Sequence, residues 1–416
     1  MRRYPLNPFL VVILFAAGIL FCPQTRAQGG LAGAGALSTR LDHAEIERLA
    51  DFFDLDELER ETLGVLYDGY LQARDDAFQT YRDELRRITD DARRTQEWSN
   101  RGELIQAAHR RYETQDTSLL RRFFEDARTL LDSEEQRRWP GYERDLRRRQ
   151  TLVRGAQLSG EGVDLTDLAA SIDLADESAE LIAPTLDSYE IELDTVLVAR
   201  NEAIERHSEI FRDLSNLEEG DELDQRRRLL ERRRNVRDLN TRYAEAIAAQ
   251  LPLDESERFR AEFQRRSFRS LYEPTRAHRY FERVLGLDDL TEAQRSAVEQ
   301  EQAGFLGRLG EFNERLSRLQ REREELLGEA SAAGWRVVRR GSERSLGPEE
   351  DEDAKQAVEA YFDLFERRND LINATIDAVF ANLTPEQQVL APKPVDRSLE
   401  KSGEFGGERP MFAPRK

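Results

Sequence analysis

The chain has few of the residues that cross-link or specialise a protein interior. Its 416 residues include one cysteine, two methionines and three tryptophans, and aromatic side chains make up only 8%. A single cysteine excludes an intramolecular disulfide framework and a zinc site built on cysteine pairs. The folded state must therefore depend on packing between secondary-structure elements.

Positive charge is also scarce relative to negative charge. Against 83 Asp and Glu there are 63 Lys and Arg, which gives a formal net charge of −20. Such acidity argues against general nucleic-acid binding. Charged residues reach 35% while Gly and Pro are sparse. This balance is typical of long, solvated helices.

The N-terminus resembles a secretory signal peptide. Arg2 and Arg3 precede an apolar run from Phe9 to Phe21, and Ala27 offers a small-residue cleavage site. The run is short for a membrane span. We therefore predict export to the periplasm or cell envelope, with no transmembrane segment in the mature chain.

One short pattern recurs: a Leu, then Thr or Asp, and Glu or Gln three residues after that. In a capping box the first polar side chain accepts from the N3 amide, and the Glu or Gln accepts from the N-cap amide. A weaker copy begins at Ile172. The predicted cap pairs, each with a preceding Leu, are Asp56 and Glu59, Asp132 and Glu135, Asp254 and Glu257, Thr291 and Gln294 after Leu290, and Thr384 and Gln387 after Leu383.

Between these caps, apolar residues recur every three or four positions, which predicts long amphipathic helices. The caps return at intervals of roughly 120 residues. The sequence thus predicts an all-α, elongated, coiled-coil-like fold of three tandem repeats, each a long antiparallel helical hairpin plus a shorter helix. The predicted divisions are a signal peptide (1–27), a flexible linker (28–41), repeat 1 (42–153), a loop (154–165), repeat 2 (166–286), repeat 3 (287–391) and a disordered tail (392–416).

The third repeat has the clearest stripe, a heptad seam from Val298 to Ala330 with Gln302 and Arg323 as polar members. Asn369 is the polar member of the returning stripe. Polar residues in such a seam usually set its register. We also expect Pro140 to interrupt the third helix of repeat 1.

No catalytic arrangement is evident in the sequence. The four histidines are far apart, and none carries the Glu or His spacing of a di-iron or zinc helix. Phosphate-binding and dinucleotide-binding loops are absent from the sequence. We therefore predict a protein that is not an enzyme, with no catalytic residue, no metal and no cofactor.

Two arginine-rich stretches are candidate partner-binding sites. Such clusters can hold an anionic partner, although a solvated helix face with local ion pairs gives the same pattern. A long loop with aromatic and Arg residues is a second type of contact site, unless its Trp folds back onto the helices. The candidates are Arg226, Arg227, Arg228, Arg232, Arg233 and Arg234 in the first stretch, and Trp335, Arg336, Arg339 and Arg340 in the loop.

The segments Leu290-Thr291-Glu292-Ala293-Gln294 and Leu383-Thr384-Pro385-Glu386-Gln387 resemble the motif of the periplasmic LTXXQ family, the CpxP/Spy-like proteins. This resemblance implies ATP-independent, chaperone-like binding of unfolded or stressed envelope proteins by a helical surface. We expect other proteins as partners, no nucleic acid, and a homo-oligomer as one arrangement. The competing hypothesis is a passive structural rod or spacer in the envelope.

Overall fold

The computed structural model describes residues 41–212, 219–332 and 352–394. Within these ranges the chain is all-helical, and no strand forms. The all-α class predicted from the periodicity is therefore confirmed for the described residues. The predicted signal peptide (1–27) lies outside the described residues, as does most of the predicted tail.

The first segment contains four helices. They are α1 (His43–Phe52), α2 (Glu57–Thr95), α3 (Arg101–Arg128) and α4 (Glu135–Gly155). Helices α2 and α3 pack against each other. Their shared core holds Leu63, Tyr70 and Phe123.

The middle segment begins with a short helix and continues with two long ones. The helices are α5 (Leu165–Ser171), α6 (Asp176–Arg212), α7 (Glu219–Ala248), α8 (Leu253–Ser267) and α9 (Arg269–Tyr272). Helix α6 packs on α7, and α4 also packs on α6. The core between them includes Leu193, Leu197 and Val236.

The last segment repeats the alternation of short and long helices. It contains α10 (Arg276–Leu285), α11 (Glu292–Ala332), α12 (Glu352–Ala381) and α13 (Pro385–Leu390). Helix α11 packs on α12 along one side and on α7 along another. Each Leu, Ile or Phe buried in these seams contributes about 1.5–3 kcal/mol.

Four of the predicted caps form hydrogen bonds in both directions. Asp56 accepts from the amide of Glu59 at 2.9 Å, and Glu59 accepts from the amide of Asp56 at 2.8 Å. The same reciprocal bonds join three further pairs, namely Asp132 with Glu135, Thr291 with Gln294, and Thr384 with Gln387. The N-terminal turns thus have partners for amides that the helix itself leaves unpaired.

The predicted cap at Asp254 is wrong, and with it the role of Glu257. Helix α8 already begins at Leu253, so Asp254 lies within the first turn and no side chain caps the helix. In the other copies the Leu before the cap is buried or partly buried, whereas Leu253 is 77% exposed. Leu251 is buried in its place, which moves the start of the helix.

Sequence reasoning missed other helix starts. Asp42, Asp164 and Thr275 cap α1, α5 and α10. At α6, where the weak copy from Ile172 suggested a local cap, the amide of Ala175 is satisfied by Glu255 of α8 at 3.0 Å. That partner is remote in sequence, so no local pattern could have indicated it.

Proline does not interrupt α4 as predicted. The helix runs continuously from Glu135 to Gly155 through Pro140. Pro140 is exposed and lies in the second turn, so water can solvate the carbonyl that loses its helical partner. Helix α6 likewise runs through an exposed proline, Pro184.

The polar position of the last seam is also displaced by one residue. Arg368 is 4% exposed, whereas the predicted Asn369 is only partly buried. The Arg368 guanidinium donates to Asn313 Oδ1 at 2.8 Å and to the carbonyl of Leu271 at 2.7 Å. Arg323 behaves differently, since its guanidinium lies 4.1 Å from the ring centre of Tyr361.

Both ends of the described chain differ from the predicted flexible segments. Leu41, the last residue of the predicted linker, is buried in the core beneath α1. Lys393, inside the predicted tail, pairs with Asp377 at 2.6 Å. None of the helices within the described ranges combines the length and apolar character needed to span a bilayer.

Candidate partner-binding groove

The arginine stretch of α7 divides into a buried member and several surface members. Because consecutive residues on a helix are about 100° apart, adjacent arginines point in different directions. Arg233 is 6% exposed, while Arg227, Arg228 and Arg232 are exposed. The stretch therefore does not form a single basic surface.

Arg233 belongs to a buried ionic network, which contradicts its predicted role in partner binding. Arg233 and Arg200 each lie 3.3 Å from Oε1 of Glu161. Arg200 and Glu161 have no measurable exposure. Burial lowers the pKa of both guanidinium groups, and the nearby Glu161 carboxylate opposes that shift.

The network fixes the connection between α4 and α5 against the middle helices. Arg200 donates to the carbonyls of Thr151 and Leu152, and Arg233 donates to the carbonyl of Gly155. Each bond joins residues about 50 or more positions apart in the chain. The buried charges thus hold three helices in one relative position.

Asn240, about two turns after Arg233 on α7, completes this arrangement. Its amide donates to the carbonyls of Gly160 and Glu161 at 2.9 and 3.0 Å, and it accepts from the Tyr189 hydroxyl at 3.0 Å. Burial raises the pKa of Tyr189. That hydroxyl donates to Asn240 and so helps to hold the network in place.

The exposed arginines border a groove between α6 and α7. The groove has a volume of about 350 Å³. Ala199 and Ala203 of α6 form a floor of small side chains. Its rim consists of Glu202 and Arg206 from α6 and Gln225, Arg228, Glu231 and Arg232 from α7.

The charges of the groove are only partly paired. Arg206 binds Glu202 at 3.0 Å, and both side chains are exposed. Among the residues that the structure describes, no carboxylate lies within ion-pair distance of Arg228 or Arg232. The groove thus offers two exposed guanidinium groups on one side of a small-residue floor.

The remaining members of the arginine stretch point elsewhere. Arg227 pairs with Asp224 at 3.4 Å on the solvent face of α7. Arg234 binds Glu325 of α11 at 2.5 Å, so it helps to join two helices. Arg226 has an interaction partner of its own. Only Arg228 and Arg232 of the predicted set line the groove.

The loop candidates Trp335, Arg336, Arg339 and Arg340 lie outside the described residues. A different tryptophan, Trp98, is 48% exposed in the turn between α2 and α3. The Arg101 guanidinium lies 5.6 Å from its ring centre. The sequence signal that could have found Trp98 is its position directly before the Ser99–Gly102 helix break.

The described part of the chain holds no group of three metal-ligating side chains, whether His, Cys, Asp or Glu, that could hold a metal ion. His278, whose pKa is shifted, takes part in the cap of α10. Its Nδ1 accepts from the amide of Thr275 at 3.1 Å, and burial lowers its pKa.

Comparison of the chain with protein-family models, with curated proteins and with solved structures finds no match.

Proposed function

We propose that this protein binds other proteins through its helix surfaces without ATP, as a chaperone-like component of the periplasm or cell envelope. The motif resemblance of Thr291–Gln294 and Thr384–Gln387 supports this proposal, as does the signal-peptide pattern at the N-terminus. The triple repeat belongs to the same proposal. Pairwise packing of α2 with α3, α6 with α7, and α11 with α12 supports it.

The observation that carries the binding proposal is the groove between α6 and α7. Arg228 and Arg232 are exposed and have no ion-pair partner among the residues that the structure describes, so their guanidinium groups are available for contact with a partner. The half-exposed Ala199 and Ala203 let another chain approach closely between Arg206 and Arg228. Arginine is also enriched in protein interfaces.

A second candidate function is a passive rod or spacer. The interlocking of Arg200, Glu161 and Arg233 favours it, because buried charge pairs fix geometry more than they add stability. A rod needs fixed helix positions but no client. The two functions therefore differ in whether the surface arginines matter.

Suppression of client aggregation distinguishes the two functions. The purified protein without residues 1–27 is mixed at equimolar ratio with a thermally unfolding model enzyme, and light scattering is followed. We expect reduced scattering, and less reduction for the double variant Arg228→Ser with Arg232→Ser. Arg227→Ser is the matched control, because Arg227 lies on the same helix outside the groove.

Unchanged scattering with the wild-type protein would overturn the chaperone proposal and leave the rod. Circular dichroism of each variant checks that helicity is intact. All three arginines are exposed, so we expect changes in the free energy of unfolding of at most about 0.5 kcal/mol.

A further inference from the structure

We infer that the groove between α6 and α7 binds an acidic peptide segment through two carboxylates about 6 Å apart. This inference rests on the proposed protein-binding function and names the chemistry of the partner. The occupant would place one carboxylate on Arg228 and the next on Arg232. Its backbone would lie over Ala199 and Ala203.

The spacing follows from helix geometry. Arg228 and Arg232 are four residues apart on α7, which corresponds to a rise of about 6 Å. In an extended peptide, alternate side chains are about 6.6 Å apart and point to the same side. A Glu-x-Glu segment therefore presents two carboxylates at the distance of the two guanidinium groups.

The charge of the whole protein makes this groove a selective site. A net charge of −20 repels acidic peptides in general. Binding then requires a local cationic surface, and screening limits the long-range repulsion to about 8 Å at physiological salt. Glu202 is already engaged with Arg206, so Glu231 is the rim carboxylate that opposes a bound acid.

The arginines of the rim are better suited than lysines would be to the recognition of carboxylates. Guanidinium groups bind carboxylates through two parallel N–H bonds, which a lysine cannot reproduce. Gln225 adds an amide on the same rim. A peptide whose Glu residues are replaced by Gln would retain its shape and lose these charge-assisted bonds.

Fluorescence polarisation with labelled peptides tests the inference. The probe is a Gly/Ser peptide with a central Glu-x-Glu-x-Glu segment. The comparison peptides carry Gln in place of Glu, or the same number of Glu residues at adjacent positions. We expect the alternating acidic peptide to bind best and the Gln peptide not to bind.

The protein variants locate the site. Arg228→Ser with Arg232→Ser should weaken binding roughly five- to thirtyfold, because two exposed charge pairs are removed. Arg227→Ser, which removes the same kind of charge outside the groove, should leave binding unchanged. Equal weakening by Arg227→Ser would indicate unspecific charge attraction and overturn the inference.

Two further outcomes also overturn it. Equal binding of the Gln peptide would exclude carboxylate recognition. Binding of phosphatidylglycerol vesicles that depends on Arg228 and Arg232, without peptide binding, would assign the groove to a membrane surface.

If aggregation is suppressed but the acidic peptide does not bind, the inference fails while the proposed function stands. If the peptide binds and aggregation is unchanged, only the chaperone function fails.

Discussion

Gln294 and Gln387 close two separate helix caps and also bind each other. Nε2 of Gln294 donates to Oε1 of Gln387 at 2.9 Å and to the carbonyl of Asn382 at 3.0 Å. Nε2 of Gln387 donates to the carbonyl of Asp289 at 3.0 Å. Each glutamine thus reaches the residue that precedes the other motif, so the two copies form a reciprocal clasp.

This clasp explains the choice of glutamine over glutamate at these two positions. A glutamate accepts from the N-cap amide equally well, as Glu59 does at Asp56. It cannot donate, however, so it cannot form the cross-bond. We expect Gln387→Glu to lower the free energy of unfolding by about 1–3 kcal/mol, because Gln387 is 2% exposed and the carbonyl of Asp289 loses its donor.

Urea denaturation followed by circular dichroism measures that change. The matched control is Glu59→Gln, which keeps a capping acceptor on an exposed cap and should change stability by less than about 0.5 kcal/mol. Equal, small effects of both substitutions would mean that the clasp contributes nothing beyond the caps.

Substitution of the buried Glu161 should lower the free energy of unfolding strongly. In Glu161→Gln the protein keeps an acceptor but leaves two buried guanidinium groups, Arg200 and Arg233, without a counter-charge. Breaking a buried pair in this way costs about 3–5 kcal/mol. Thermal or urea unfolding checks this value. Glu202→Gln is the control, since its pair with Arg206 is exposed and should contribute at most about 1 kcal/mol.

Gly155 should not accept a methyl group. A Cβ at this position would lie 2.5 Å from Nη2 of Arg200 and 2.7 Å from its Cζ, and Arg200 is fully buried. We expect Gly155→Ala to destabilise the protein by about 1–3 kcal/mol through this clash. A Cβ at Gly64, within α2, would meet nothing within 4 Å. Gly64→Ala should therefore stabilise the protein by about 0.5–1 kcal/mol. The melting temperature should thus fall for Gly155→Ala and rise for Gly64→Ala.

Replacement of the Thr or Asp of the motif by Ala should change the free energy of unfolding by different amounts in two copies, at Thr384 and at Asp254. Thr384 accepts from the amide of Gln387 at 3.3 Å and caps α13, so Thr384→Ala should cost about 1 kcal/mol. Asp254 lies inside the first turn of α8 and caps nothing. Asp254→Ala should change the free energy of unfolding by less than about 0.5 kcal/mol. A loss at Asp254 as large as at Thr384 would contradict the helix start seen at Leu253.

The stabilisation contributed by the cap at Asp132 should depend on pH. Hydrogen bonds from the amides of Glu135 and Glu134 lower the pKa of Asp132. A lowered pKa in the folded state means that the ionised cap stabilises above the ordinary pKa of aspartate and loses this effect as pH falls through the lowered value. The difference in stability between wild type and Asp132→Ala should therefore shrink in acid.

Thr291→Ala provides the control for this pH series, because Thr291 accepts from the amide of Gln294 in the same type of capping box. Threonine does not titrate, so titration of residue 291 itself adds no pH dependence to the difference from wild type. Melting temperatures of both variants between neutral pH and about pH 3 supply the measurement. A difference for Asp132→Ala that stays constant across this range would show that the carboxylate is not the capping group.

Several features of the fold could be predicted because they depend on neighbours close in sequence. A capping box is complete within four residues, so Asp56, Thr291 and Thr384 could be recognised as helix caps, and Asp132 as the start of the turn that leads into α4. An amphipathic stripe likewise repeats every three or four residues, and it indicated the long helices. Asp254 failed because the burial of Leu251 and the exposure of Leu253 are decided by packing.

The sequence could not predict which arginines are buried and which are exposed. Arg228 and Arg233 stand in equivalent sequence surroundings, with arginines and carboxylates nearby. One is exposed at a groove, and the other is buried against Glu161, 72 residues earlier in the chain. No periodicity indicates which charge meets a distant partner, because the energy of a buried charge depends on the groups that surround it in space.

By itself, then, the sequence determined the all-helical class of the described residues and the capping boxes at Asp56, Asp132, Thr291 and Thr384, since those depend on local hydrogen bonds and on the period of the helix. Only the tertiary structure decided that Gln294 meets Gln387, that Arg200 and Arg233 share Glu161, and that Arg228 and Arg232 border a groove. These relationships join residues remote in the chain, and they form only when the helices have packed.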